Sequence, residues 1–145
     1  MKVLYVTDRY IGNGGTEVVV RDLANAMKRR GHEIFFASLD ATKVQNHFQI
    51  RSVKRGLGMA ILKNTLFINS DPVAYYCFKK ILNKVNPDVV HCHCLFNISL
   101  APIILAAKKR IPCIVTVHDY WPVCLNNLLR KPNLILCEET SWNYC

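Results

Sequence analysis

The sequence predicts an α/β fold, a Rossmann-like doubly wound parallel sheet, and three observations carry that expectation. Four apolar runs are short enough for strands: Lys2-Val-Leu-Tyr-Val6, Glu33-Ile-Phe-Phe-Ala-Ser-Leu39, Asp88-Val-Val-His-Cys92 and Pro112-Cys-Ile-Val-Thr-Val117. Their apolar character is continuous rather than alternating, as in strands buried on both faces of a parallel sheet. Helical segments lie between them, the order expected of successive β-α-β units. Finally, the first strand leads into the first helix through a glycine-rich turn, Asp8-Arg-Tyr-Ile-Gly-Asn-Gly-Gly15.

Local chemistry sets each element. In the first helix, which ends at Arg30, Val19, Val20, Leu23 and Met27 recur on one face while Glu17, Arg21, Asp22, Asn25 and Lys28 take the other. Gly31 reads as its C-cap residue, and the second strand follows. Thr42 to Ser52 is mixed in character, with a short strand expected around Phe48 to Val53. Gly56 to Asn69 sets Leu57, Ile61, Leu62, Leu66, Phe67 and Ile68 among flanking bases. Such a segment packs as a helix on its own sheet or lies in a membrane interface. Asp71-Pro72 starts a helix, with Asp as N-cap and Pro at the first position, and Asn86-Pro87 stops it. Between them Tyr75, Phe78, Ile81, Leu82 and Val85 form the apolar stripe. Ser99 is the expected cap of a further helix, Leu100 to Arg110, with Pro102 in its first turn. From Asp119 onward periodicity is lost, so the chain divides into a Rossmann-like domain, 1–118, and an irregular Cys- and aromatic-rich tail, 119–145.

The 145 residues, 51% of them hydrophobic, suffice for one domain with one core. A net charge of +9 favours an anionic partner. No acidic residue falls between Asp40 and Asp71, an interval holding Lys43, Arg51, Lys54, Arg55 and Lys63. Arg51, Lys54, Arg55 and Lys63 are therefore candidates for contact with an anionic membrane surface. Nucleic acid is not expected as a partner, because neither a stacking platform nor a recognition motif accompanies the bases. The start has neither the apolar region of a signal peptide nor a spanning segment, so the expected location is cytoplasmic, peripheral at the inner face of the membrane. Seven cysteines are then expected as reduced thiols.

Gly14 and Gly15 stand just ahead of a helix, where a ligand approaches unpaired amides and the helix dipole favours an anion such as phosphate. This is not a dinucleotide fingerprint: Gly12 and Gly14 fit, but Glu17 takes the third glycine position. No G-x-x-x-x-G-K-[ST] loop occurs, and no cofactor is expected. In open parallel sheets ligands bind beyond the carboxyl ends of the strands, where His91, His93 and His118 fall. On a continuing strand His91 and His93 face one way, Cys92 and Cys94 the other. The three imidazoles form a conceivable zinc site, as do Cys124, Cys137 and Cys145, but polar ligand contacts and packed thiols are the preferred readings, so no metal is expected. Hydrolase signatures such as G-x-S-x-G and H-E-x-x-H are absent from the sequence.

Three stretches in order, Gly14-Gly-Thr-Glu-Val-Val-Val-Arg-Asp-Leu-Ala24 with Arg29-Arg-Gly-His-Glu33, Pro87-Asp-Val-Val-His-Cys-His93 and Val115-Thr-Val-His-Asp-Tyr-Trp121, resemble the N-terminal, acceptor-side half of a GT-B glycosyltransferase of family 4. The resemblance implies transfer of a sugar from a nucleotide-sugar donor to a sugar or lipid-linked acceptor, with retention and without metal. It implies that Gly14, Gly15 and Thr16 face the donor diphosphate and acceptor, that His118 hydrogen-bonds the transferred sugar with Asp119 beside it, and that His91 or His93 lines the acceptor side. In the family most nucleotide contacts come from a second Rossmann-like domain. The chain is therefore expected to lack a C-terminal domain or partner subunit and to be inactive alone. Two alternatives stand beside this reading: a non-catalytic subunit that recruits the donor-binding half of a split glycosyltransferase to a membrane, and a GT-B sugar-nucleotide epimerase, which would need carboxylates for acid-base work.

Overall fold

A computed structural model describes residues 1–53, 71–120, 129, 130 and 136 of the chain. The apolar runs become five parallel strands: β1 (Lys2–Val6), β2 (Glu33–Ser38), β3 (His47–Gln49), β4 (Val89–Cys92) and β5 (Cys113–Val115). Three helices are described, α1 (Gly15–Arg29), α2 (Pro72–Val85) and α3 (Ala101–Lys108). The strand order is β3-β2-β1-β4-β5, so the chain winds outward from β1 in one direction and then starts again on the other side at β4. That reversal leaves a crevice beyond the carboxyl ends of β1 and β4.

Alternate residues of each strand serve two cores. On one face Val3, Tyr5 and Ile34 pack with Val20 and Ala24 of α1. On the other, Leu4, Val6, Phe35 and Val90 pack with Phe78, Ile81 and Leu82 of α2 and Leu105 of α3. Helices on both faces make the sheet doubly wound and Rossmann-like, the architecture of one half of a GT-B protein.

Helix α2 begins and ends where its flanking residues dictate. The Asp71 carboxylate accepts from the Val73 and Ala74 amides at 2.9 and 3.0 Å, and Asn86 ends the helix in the left-handed region with φ 47°. Gly31, with φ 82°, takes the corresponding place just past α1.

Two expectations need correction. In α1 the buried residues are Val20 and Ala24, with Met27 partly buried, whereas Val19 and Leu23 are exposed. Three consecutive valines, Val18 to Val20, make the rotation of the apolar stripe ambiguous, and packing on Tyr5 and Ile34 chooses the small Ala24 rather than Leu23. Leu100 rather than Ser99 is the N-cap residue of α3: Ser99 has φ 80°, and its hydroxyl accepts from the Ala101 amide at 3.4 Å and, more closely, from the Asp71 amide at 3.0 Å. The cap expected for one helix thus secures the N-terminus of another.

Candidate active site

The crevice is built by loops that leave the strands still joined. Past the end of β1, the Asp8 amide donates to the Cys94 carbonyl at 2.8 Å, and the His93 amide donates to the Val6 carbonyl at 2.8 Å. Two side chains clamp the glycine loop that follows. Asp40, just after β2, accepts from the Tyr10 and Ile11 amides at 2.6 and 2.8 Å, and Arg21 of α1 donates to the Gly12 carbonyl at 2.6 Å. Gly12 has φ 150°, a conformation that residues with a side chain rarely adopt. Glu17 folds its carboxylate back over Gly12 and Gly14, so a Cβ on Gly14 would run into it. At Gly15, the first residue of α1, an added Cβ would meet nothing within 4 Å. No side chain caps this helix at Gly14, and the first-turn amides have no intrahelical partners.

A cleft of about 390 Å³ opens over these residues. It is lined by Gly14, Gly15, Thr16 and Glu17 at the start of α1, by Thr7 and Asp8 after β1, and by Asn97 and Asp119 from the segments after β4 and β5. Asp8 is buried, and its carboxylate accepts from the Asn97 amide and from the Asn97 side-chain nitrogen, both at 2.9 Å. The Cys94 thiol lies 3.7 Å from the same carboxylate. Burial, and then the charge of Asp8, push that thiol up to about 12, so it stays protonated and is no nucleophile at neutral pH. Among the described residues, the charged groups lining the cleft are mostly acidic: Asp8, Glu17 and Asp119 against the one cation Arg9.

The three histidines meet on the α1 face of the sheet. His91 and His93 lie against each other at a tilt, with ring centroids 4.3 Å apart, and Tyr5 lies against both. Cys92 faces the opposite core. His91 Nε2 pairs with the Thr116 hydroxyl at 2.8 Å, and His93 Nδ1 pairs with His118 Nε2 at 2.8 Å. His93 is fully buried, and its Nε2 has no partner among the described residues. Burial, together with the neighbouring His91 and His118, pushes His93 down to about 3; burial and then His118 lower His91 as well. Both rings are therefore neutral near pH 7. The nitrogens bond to one another and to Thr116 rather than converging on one point, and no metal-binding group of three occurs among the described residues.

A family model, Glycosyltransferase Family 4, matches residues 13–142. The chain belongs to glycosyltransferase family 4. Comparison with curated proteins gives no match.

Within this family 4 domain, the geometry brings together Gly14, Gly15, Thr16 and Asp119, which share the cleft. His118 is half-buried beside Asp119 and rests on His93. His91 lies within β4, engaged by Thr116, and is not among the cleft-lining residues. Arg51 is exposed, while Lys54, Arg55 and Lys63, with Cys124, Cys137 and Cys145, fall outside the described residues. No helix among the described residues is long and apolar enough to cross a membrane. Sequence reasoning missed Asp8, Glu17, Arg21, Asp40 and Asn97. The one local signal was charge placed directly after an apolar strand, at Asp8 and Asp40.

Proposed function

We propose that this domain is the acceptor-side half of a retaining glycosyltransferase that moves a sugar from a nucleotide-sugar donor to a sugar or lipid-linked acceptor, in envelope polysaccharide or glycolipid synthesis. The observation that carries the reading is the single cleft shared by the glycine pair at the start of α1 and by Asp119 beyond β5, at the point where strand order reverses. Same-face transfer requires no protein nucleophile. The acceptor oxygen bonds to the anomeric carbon as the bond to the leaving phosphate breaks, and the acceptor's proton passes to that phosphate. The protein then supplies placement and charge stabilisation.

The residues divide that work. The first-turn amides of Gly15 and Thr16 suit a phosphate oxygen. The carboxylates of Asp8, Glu17 and Asp119 suit hydroxyl donors, so this cleft favours a neutral, polyhydroxylated acceptor over a polyanion. Among the described residues Arg9 is the one cationic side chain lining it, too little to neutralise a diphosphate. Cations from elsewhere in the protein complete the donor site, and residues 1–145 alone do not turn over. His118 hydrogen-bonds the transferred sugar, with Asp119 beside it.

The test is product formation by the full-length protein from a panel of radiolabelled nucleotide sugars, with the anomeric configuration of the product read by NMR. Transfer with retention supports the reading. Inversion, or robust transfer by residues 1–145 alone, contradicts it. The epimerase alternative asks for carboxylates, and Asp8 and Glu17 do join Asp119 in the cleft. Conversion of the donor into an epimer without acceptor would favour it.

A further inference from the structure

Two buried side chains near the sheet's carboxyl end keep an unpartnered polar atom among the described residues, the Thr7 hydroxyl and His93 Nε2, and the sugar-transfer reading gives neither a task. The His93 ring is fully buried between Tyr5, His91 and His118, so it cannot touch a substrate. Yet a buried imidazole with an unpaired nitrogen is costly, and a leucine or phenylalanine would fill the space without that cost. The chemistry of its one hydrogen bond suggests what the ring does.

We infer that His93 fixes the tautomer of His118, holding it as the Nδ1–H form with Nε2 unprotonated. The contact between His93 Nδ1 and His118 Nε2 is 2.8 Å, so one of the two nitrogens donates and the other accepts. If His118 donated, the single proton of His93 would sit on Nε2, a buried N–H with no acceptor among the described residues. If His93 donates from Nδ1, its buried Nε2 carries only a lone pair. Orphaned buried N–H groups are rarer in folded proteins than under-satisfied acceptors, so the second arrangement is the favoured one. It requires His93 to be neutral, and burial with the neighbouring imidazoles, holding it down to about 3, keeps it so. His118 must then accept at Nε2, and its remaining proton goes to Nδ1, which has no partner among the described residues.

Placing the proton on Nδ1 makes the free side of His118 a hydrogen-bond donor. In that state it can donate to a sugar oxygen and cannot serve there as a base. The pair therefore presents an N–H rather than a lone pair on the free side of His118. The tautomer assignment stands on the histidine geometry alone, whereas its use in catalysis rests on the sugar-transfer reading. His93 is a positioning residue in this scheme.

The test is long-range 1H–15N NMR of the 145-residue chain labelled at histidine, comparing wild type with His93→Phe. The expected result in wild type is a protonated-type shift at His118 Nδ1 and a lone-pair shift at Nε2. In His93→Phe the preference reverts to the Nε2–H form that free imidazole favours. A wild-type His118 protonated at Nε2 would overturn the inference, and so would an Nδ1–H form that persists in His93→Phe. Because the wild-type spectrum is decisive by itself, a variant that fails to fold does not shield the claim. In the full-length enzyme His93→Phe is expected to lower kcat about tenfold, roughly the worth of one hydrogen bond, with KM little changed. His93→Asn, whose amide can donate from near the Nδ1 position, is expected to restore most of the rate. A lost tautomer with an unchanged kcat would leave the lock standing and remove His118 from the proposed sugar-binding role.

Discussion

Two hollows of nearly equal size, about 390 and 360 Å³, open at opposite ends of the sheet. The smaller lies at the amino ends of the strands, lined by Lys2, Glu33 and Asp88 with Gly31 and Asn86. There α1 and α2 finish, presenting the negative ends of their dipoles, and the main polar link is the Lys2 amide donating to Asp88 at 2.7 Å in an exposed setting. The larger lies at the carboxyl ends, where α1 begins and where the polar groups are buried: Asp8 and His93 beneath it, and Asp71 nearby at the start of α2. Volume does not separate the two. What separates them is the investment of buried hydrogen bonds and helix N-termini at one end only.

Carboxylates at the two ends are accordingly expected to differ sharply in their worth. Asp71 is fully buried, accepts from the Val73, Ala74 and Val53 amides and the Ser52 hydroxyl, and caps α2. Asp71→Ala is expected to cost about 3 kcal/mol, combining a lost cap with buried donors left unpaired. Asp8→Ala, which strands the Asn97 amide, is expected to cost about 2 kcal/mol. Asp88→Ala, at the exposed end, should stay within about 0.5 kcal/mol. Urea unfolding of the three variants orders them, and equal losses would erase the distinction.

Acid should act through the same end. His93 stands at about 3 in the folded chain, against an ordinary value of 6.5. Between those values the unfolded chain binds the proton and the folded chain does not, so the stabilisation is complete above about 6.5 and declines as pH falls toward 3. His91 and His47, also lowered by burial, act in the same direction. Tm is expected to fall between pH 7 and pH 4, with a shallower slope in His93→Phe. A flat profile would mean that the buried imidazole is solvated.

Glycines supply the smallest effect on stability and the cleanest contrast. At Gly31, with φ 82°, alanine is strained and should cost about 1 kcal/mol without touching the cleft. Gly15 has open space where a side chain would go, so a larger residue there should leave stability nearly unchanged while filling the cleft. Thermal melts of Gly31→Ala and Gly15→Leu measure the difference.

Most of the fold was legible because its signals are local. The apolar runs marked four of the five strands, Asp71-Pro72 and Asn86-Pro87 bounded α2, and Gly31 marked the end of α1. The short edge strand β3 spans His47–Gln49, where a strand was expected around Phe48 to Val53, since it pairs on one side only and carries little apolar pattern. The cleft was legible only in part. Gly14 and Gly15 announced themselves by residue type, but the residues that shape the space act at long range. Asp8 meets Asn97 across 89 positions, and Asp40 meets Tyr10 across 30. Nothing in the order of residues specifies such pairs; sheet topology brings them together. The same holds for the histidine pair, whose partners sit 25 positions apart on neighbouring strand ends.

The proposed place of sugar transfer is the hollow at the carboxyl ends, over Gly15. The most direct measurement is the transferase rate of the full-length protein carrying Gly15→Leu beside wild type, with Tm recorded on the same samples. The rate is expected to fall at least about a hundredfold, as when a bound substrate is displaced from its productive geometry, with Tm unchanged. Full activity with a leucine filling that space would contradict it.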